Sequence, residues 1–420
     1  MLLSFIRDAG AVLLHGGRAY WLWLGLLAVL VLAGAVAYGI QLSQGLIVTG
    51  MSDQVSWGFY ISNFAFLVGI AAAAVLLVIP AYVFHRKDIK SVTLIGEGLA
   101  VAAVLAAMLF VIVDIGRPDR LLHMLPVIGR LNFPQSMLAW DVVVLSGYLL
   151  LNLAIPFYIH YCHYRQREPN FAAYFPFVVL AMFWAISIHT VTAFLFSSNT
   201  GRPFWHVALL GPRFIATAFV SGPALIILLL QLIDRVTRYP IPRSVVDTLA
   251  LIMTVALQIS LFFVGVELFT DFYNETAHAA SVRYLYFGLD GLASLAPWVW
   301  TALLMNVVAV VILTINPLRR QRRFLNAACV LAFIGIWIEK GMGFVVPGFI
   351  PTPLGEVFEY SPTAIELIVA AGIWAFGALV FTLFAKASIA ISLGDVRAAD
   401  SVPADSVPAD SAPAAARATG

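Results

Sequence analysis

Ten apolar runs dominate this chain, near 20–40, 58–84, 92–114, 137–161, 171–196, 214–233, 246–266, 296–315, 324–341 and 362–385. A bilayer core of about 30 Å takes about 20 residues of helix, so each run is long enough to cross it. Lipid offers no hydrogen-bond partners, and a helix satisfies its own backbone. Composition agrees with this: 62% of residues are hydrophobic and 11% charged, and mean hydropathy is +0.95. A soluble domain is roughly a quarter charged. The expected fold class is therefore all-α integral membrane, with ten transmembrane helices. A formal net charge of +2 gives no reason to expect a nucleic-acid partner.

Lysine and arginine set the orientation. With ten spans, the termini and the even-numbered loops share one side. Arg117, Arg120, Arg130, Arg202, Arg213, Arg283 and Lys340 fall on the other side, and the remaining 17 of the 24 basic residues fall with the termini. Both termini are expected in the cytoplasm, with the odd loops outside, in a periplasm if the host is a Gram-negative bacterium. The N-terminus lacks a signal-peptide cleavage pattern, so the first run reads as a retained helix. Inner loops are short and basic. Outer loops are longer and hold acids, aromatics, Gly and Pro, as in Asn199–His206 and Glu267–Pro297. Long ordered loops usually carry function, so a site or a partner is expected on the outer face. The repetitive Ala-Asp-Ser-Val-Pro tail from Ala399 reads as disordered.

One outer stretch, Val113 to Asp141, gathers Asp114, Arg117, Asp119, Arg120, His123, Arg130 and Asp141. Asp114 closes one helix and Asp141 sits a turn inside the next. Ionisable groups at membrane depth are costly and point to function. The bland alternative is a capped interfacial loop, broken by Gly116 and Pro118, with arginines facing headgroups.

Depth brings further residues to the same level. Tyr60 and Asn63 lie in the first turns of the second span, Trp140 and Asp141 in the first turns of the fourth. His189 lies seven residues before Phe196, about 10 Å from the outer end of the fifth at 1.5 Å per residue. If spans two to five form one bundle, Asn63, Asp114, Asp141 and His189 converge above a floor of Phe64, Phe66 and Trp184. Such a pocket suits a quinone: an apolar slot for the ring and tail, hydrogen-bond partners for two oxygens, and a titratable group for proton exchange. Asn63 could equally glue helices together, and His189 could be a neutral core histidine. Asp141 and His189 are the candidate catalytic groups. Tyr60, Asn63, Asp114, Arg117, His123 and Trp140 are the candidate cofactor-binding residues.

Metal chemistry has little support in the sequence. Cys162 and Cys329 form no CxxC, so neither an iron–sulfur cluster nor a structural zinc is expected. No two histidines face each other at one depth, so bound haem b is not expected either. Electrons would then have to pass to another subunit. A second polar group, Arg213, Gln258, Glu267, Glu339 and Lys340, lies on spans six to nine, with Glu339-Lys340 read as an ordinary interfacial ion pair. Glu97 and Asn152 lie toward the inner half of the first bundle and could begin a proton path.

Three segments give the chain a family likeness: Trp57-Gly58-Phe59-Tyr60 through Gly69, Asp114-Ile115-Gly116-Arg117-Pro118, and Ser136-Met137-Leu138-Ala139-Trp140-Asp141. Over residues 20–390 the chain resembles the NrfD/PsrC family, the membrane subunits of polysulfide-reductase-like complexes. Ser187–Phe194, Arg202–His206 and Trp337–Gly343 resemble its ten-helix branch, closest to the DsrP subunits of DsrMKJOP complexes of dissimilatory sulfur metabolism. The resemblance implies two four-helix bundles plus peripheral first and last helices. Its divisions would be 1–19, 20–57, a first bundle at 58–196 with the quinone site, a second at 197–341, an outer loop and last helix at 342–390, and a tail at 391–420. It implies bound menaquinone, a periplasmic ferredoxin-like iron–sulfur subunit docked outside, further membrane and cytochrome c subunits, and a chain that is not a complete enzyme alone. Asp114, Arg117 and Asp141 sit on the matching motif positions. The rival reading from another class is a proton-coupled secondary transporter using Asp114, Asp141 and His189. No paired interrupted helices in matching halves support it.

Overall fold

The computed structural model describes residues 1–124, 127–274 and 278–398. The expected disordered tail from Ala399 lies outside them. Among the described residues, ten helices are long and apolar enough to cross a membrane: Arg18–Gln44, Phe59–Val83, Lys87–Asp114, Met137–Tyr164, Phe171–Ser197, Leu210–Val236, Arg243–Tyr273, Ala296–Thr314, Arg322–Phe349 and Ala364–Ser392. They are called the first to tenth spans below.

The second to fifth spans pack into one bundle and the sixth to ninth into another. The first and tenth pair with each other, and the tenth leans on the third span, outside the first bundle. Small residues permit that pairing. A Cβ on Gly34 would come within 2.7 Å of the Gly372 Cα, and the reverse holds equally. Close backbone approach of this kind favours helix association in lipid, where apolar burial alone gives no preference for protein over tails. The outward faces stay apolar because they meet acyl chains, as with Leu22, Leu26 and Val29 on the first span and Phe177 and Phe183 on the fifth.

The second span sits between the bundles, and every residue from Phe59 to Ala71 is buried. A Cβ on Gly222 of the sixth span would meet the Ala73 Cβ at 2.0 Å, so only glycine lets these spans touch there. Pro80 then interrupts the second span. It has no N–H to donate, and the helix widens into a π-type turn over Ile79–Val83.

Several segments outside the spans brace the ends. A short N-terminal helix, Leu2–Leu13, lies against the fourth span. Phe5 packs on Phe157, Tyr161 and Tyr164 at 5.2–5.6 Å, and Tyr164 donates to the Asp8 carboxylate at 2.7 Å. At the end where the second span begins, Glu366 ties the two peripheral spans to it. It accepts from Tyr360, from the Gly50 N–H at 2.7 Å and from the Thr363 N–H at 2.8 Å, while Tyr360 Oη accepts the Phe59 N–H at 2.8 Å.

Candidate functional site

The fourth and fifth spans pack side by side, and their outer thirds hold the most unusual polar groups of the first bundle. Ser136 caps the fourth span, its hydroxyl accepting the Ala139 N–H at 3.4 Å, which sets Asp141 one turn inside. Asp141 is buried. Thr192 Oγ1 of the fifth span donates to Asp141 Oδ1 at 3.2 Å, while Asp141 Oδ2 is buried without a partner among the described residues. His189 lies three residues before Thr192, on the same helix face. It is buried, and neither ring nitrogen has a hydrogen-bond partner among the described residues. Unpartnered buried polar atoms are rare, and each calls for a ligand, a water or an ion.

Lys340 of the ninth span completes this group from the other bundle. The helix of the ninth span ends at Lys340, as the sequence suggested, but a further helical turn, Met342–Val345, continues the span beyond the break at Gly341, so Lys340 is no interfacial residue. It is buried, its ammonium lies 4.3 Å from the Phe214 ring centroid and donates to the Phe214 carbonyl at 3.5 Å. A Cβ on Gly69 would lie 3.3 Å from Lys340 Nζ, so the ammonium reaches the second span. The expected Glu339–Lys340 pair does not form. Glu339 turns instead to Arg213 at 3.2 Å and accepts from Asn306 at 3.0 Å, and Arg213 also pairs with Glu267. Gln258 stands apart from this network, donating to Thr314 at 3.0 Å.

The remaining sequence candidates do not converge on Asp141 and His189. Tyr60 donates to Gln41 Oε1 at 2.7 Å, and Gln41 donates to the Val113 carbonyl at 2.7 Å. Asp114 follows Val113 at the end of the third span, and Glu366 reaches the second span through Tyr360. The Asp114 Oδ1 and Tyr38 Oη atoms are buried without partners among the described residues. This second group belongs to the first, second, third and tenth spans. Asn63 is occupied structurally: its side-chain oxygen accepts from the indoles of Trp337 at 3.0 Å and Trp374 at 2.9 Å, and its amide donates to the Phe59 carbonyl at 2.8 Å. Trp140 braces its own loop, donating to the Pro134 carbonyl at 2.8 Å beside Phe133. Arg117 is exposed and forked onto Asp119 at 3.0 and 2.8 Å, an exposed pair in which the guanidinium holds the Asp119 carboxyl below its usual range. His123 is exposed as well.

The anticipated aromatic floor is also rearranged. Phe66 packs on Phe333 and Trp374, at 5.1 and 6.2 Å, facing the ninth and tenth spans. Trp184 donates to the Val144 carbonyl at 2.8 Å and lies over Gly147. Lower in the bundle Glu97 is buried with Oε2 unpartnered, Asn152 donates to the Tyr148 carbonyl at 2.9 Å, and His160 is buried against Phe384. Reading the sequence alone misses Thr192 and Gln41, and it groups Lys340 with the polar residues of spans six to nine. Thr192 carries a usable signal, the i, i+3 spacing from His189 in an apolar run.

Known proteins resemble this chain in sequence. The family model described as polysulphide reductase, NrfD, matches residues 47–346. Over 400 residues the chain is 27% identical to a putative membrane subunit of dimethyl sulfoxide reductase from Halobacterium salinarum, covering 85% of this chain and 88% of that one. The Hdr-like menaquinol oxidoreductase integral membrane subunit of Archaeoglobus fulgidus is 26% identical over 375 residues, 86% of this chain and 91% of its own. A selenate reductase subunit of Mesobacillus selenatarsenatis is 23% identical over 404 residues, 86% and 92% of the two chains. With the NrfD match spanning most of its length, this multi-span integral membrane protein belongs to the NrfD polysulphide reductase family.

Proposed function

We propose that this chain is the quinone-reactive membrane subunit of a respiratory oxidoreductase complex, exchanging electrons between a menaquinone pool and a periplasmic iron–sulfur subunit. The observation that carries the reading is the pair on the fourth and fifth spans: Asp141 with one carboxylate oxygen unmatched, and His189 with both ring nitrogens unmatched, buried together. The Archaeoglobus relative, by its name a menaquinol oxidoreductase subunit, supports the choice of quinone.

The residues fit such a ligand. A quinone's two oxygens need partners, and the orphaned atoms of Asp141 and His189 can supply them. When bound, a quinone supplies two-electron, two-proton redox chemistry. In this assignment Asp141 holds or releases a proton at Oδ2, while Thr192 fixes the carboxylate through Oδ1. His189 offers a ring nitrogen to a quinone oxygen, and the Lys340 ammonium favours negative charge nearby. Tyr60 and Asp114 form the side of the site toward the third span. Asn63 holds the second, ninth and tenth spans in register, and Arg117, His123 and Trp140 shape the outer surface where the iron–sulfur partner would dock.

The same proposal places the protein in a bacterial cytoplasmic membrane with both termini cytoplasmic. It also assigns the chain to the DsrP-like branch of dissimilatory sulfur metabolism, alongside other membrane and cytochrome c subunits. The divisions of the chain are those the resemblance implied, with the quinone between residues 58 and 196. Extraction of lipids from the purified protein tests the core of this reading. Quinone close to one equivalent per chain is expected, and a preparation that is active with its partners yet never retains or binds quinone would overturn it.

A further inference from the structure

A cavity of about 320 Å³ opens at the opposite end of the first bundle, on the side that carries both termini. Ala81, Tyr82, His85, Lys87, Lys90 and Phe171 line it. Three of these six carry basic groups and none is acidic. The π-type turn after Pro80 shapes one wall, since it displaces Ala81 and Tyr82 from a regular helical path. Wide turns of this kind recur at functional sites.

Asp88, next to Lys87 in the chain, is already engaged. Asp88 accepts two hydrogen bonds from Arg86, at 2.9 and 2.7 Å, and one from Ser244 at 2.6 Å. The side chains of Lys87 and Lys90 make no hydrogen bond or ion pair to another described residue. Lys90 Nζ stands 5.7 Å from the Tyr82 ring centroid, a contact that leaves its N–H donors available. Beside the cavity Val83 is 49% and Phe84 70% exposed, and Phe171, which opens the fifth span, is 45% exposed. A basic recess bordered by bare apolar side chains at a membrane surface matches an amphiphile with an anionic head.

We propose that this recess binds a phosphate group, with an anionic phospholipid as the source its apolar border fits. Lys87 and Lys90 would meet the phosphate oxygens, His85 would close the rim, and acyl chains would run along Phe84 and Phe171. Basic pockets between spans on the cytoplasmic side are known to hold such headgroups. The recess shares no residue with the quinone site or the outer face.

The test uses the purified full chain in an uncharged detergent, titrated with phosphatidylglycerol, with phosphatidylcholine and, separately, with inorganic phosphate. Bound species are counted by native mass spectrometry. Wild type should retain phosphatidylglycerol over phosphatidylcholine. The double variant Lys87→Gln, Lys90→Gln should lose on the order of thirtyfold in that affinity, taking the usual contribution of each lysine near an anionic surface. Lys87→Arg, Lys90→Arg should keep it, as should Arg235→Gln, Arg238→Gln at another basic surface. Binding that needs the lipid assigns the site to a headgroup. Lysine-dependent binding of inorganic phosphate alone, equal in strength, assigns it to a free anion. Equal retention of both lipids with no phosphate binding, or a preference unmoved in the folded double glutamine variant, would overturn the proposal.

Discussion

Thr192 of the fifth span donates its hydroxyl to one oxygen of Asp141 on the fourth, at 3.2 Å, and leaves the other oxygen unmatched. The one hydroxyl proton is shared with the Ile188 carbonyl, 2.8 Å away, so the threonine is tied to its own helix while it faces the acid. This division of labour makes Thr192 separable from Asp141 by experiment. Thr192→Val keeps shape and removes the donor. It should cost about 1–3 kcal/mol of stability, the usual penalty for stranding a buried acceptor, and lower quinone-linked turnover without abolishing it. Melting temperature and turnover, measured on matched preparations, check both parts. A variant that melts and turns over like wild type would remove Thr192 from the site.

Arg213 holds two carboxylates, Glu267 and Glu339, in the outer half of the second bundle. Removing one partner of a buried charge network usually costs about 3–5 kcal/mol, because the remaining charges lose their compensation. Arg213→Leu should therefore fail to accumulate in membranes or melt far below wild type. Arg213→Leu combined with Glu267→Gln and Glu339→Gln should recover much of that loss. Quantitative immunoblotting of membranes and melting of the purified protein test the prediction. No recovery in the triple variant would show that the guanidinium's packing, not its charge, is what matters.

Tyr360 bonds Glu366 and the Phe59 N–H, joining the loop before the tenth span to the second span. Burial, then the Glu366 carboxylate, raises the Tyr360 phenol above its usual pKa of about 10. A group raised on folding stabilises below its unfolded pKa, and that contribution is lost as pH climbs past the unfolded value toward the folded one. The loop should therefore hold at every pH up to about 10 and loosen only above it. Tyr360→Phe should weaken it at all pH values by about 1–3 kcal/mol and flatten the alkaline decline. Protease sensitivity of the outer loops against pH gives the comparison. Identical profiles for the variant and wild type would contradict this role.

How much of this is written in the chain differs by feature. The ten spans are legible because about 20 consecutive apolar residues admit few other structures. Asp141 and His189 are legible because polar groups stand out in such runs. Lys340 is not: Glu339-Lys340-Gly341 reads as a helix end, which it is, but the lysine at that end is buried against Phe214 rather than exposed at an interface. Nor can depth alone separate Asp114 from Asp141. It gives height along the normal, not the face each helix turns to a neighbour, and here Tyr60 and Asp114 turn toward the peripheral spans. Asn63 shows the same limit: its partners, Trp337 and Trp374, lie more than 270 residues away.

The central claim is that Asp141 exchanges protons with a quinone. Asp141→Asn preserves size and can still accept from Thr192, but it cannot titrate. The deciding measurement is quinol-linked oxidation or reduction of the partner's iron–sulfur clusters in membranes with matched protein levels. The variant is expected to assemble, to retain quinone, and to lose most of that turnover, on the order of 100-fold or more, the usual scale of general acid–base catalysis. Near-wild-type turnover in a fully assembled Asp141→Asn complex would contradict the account.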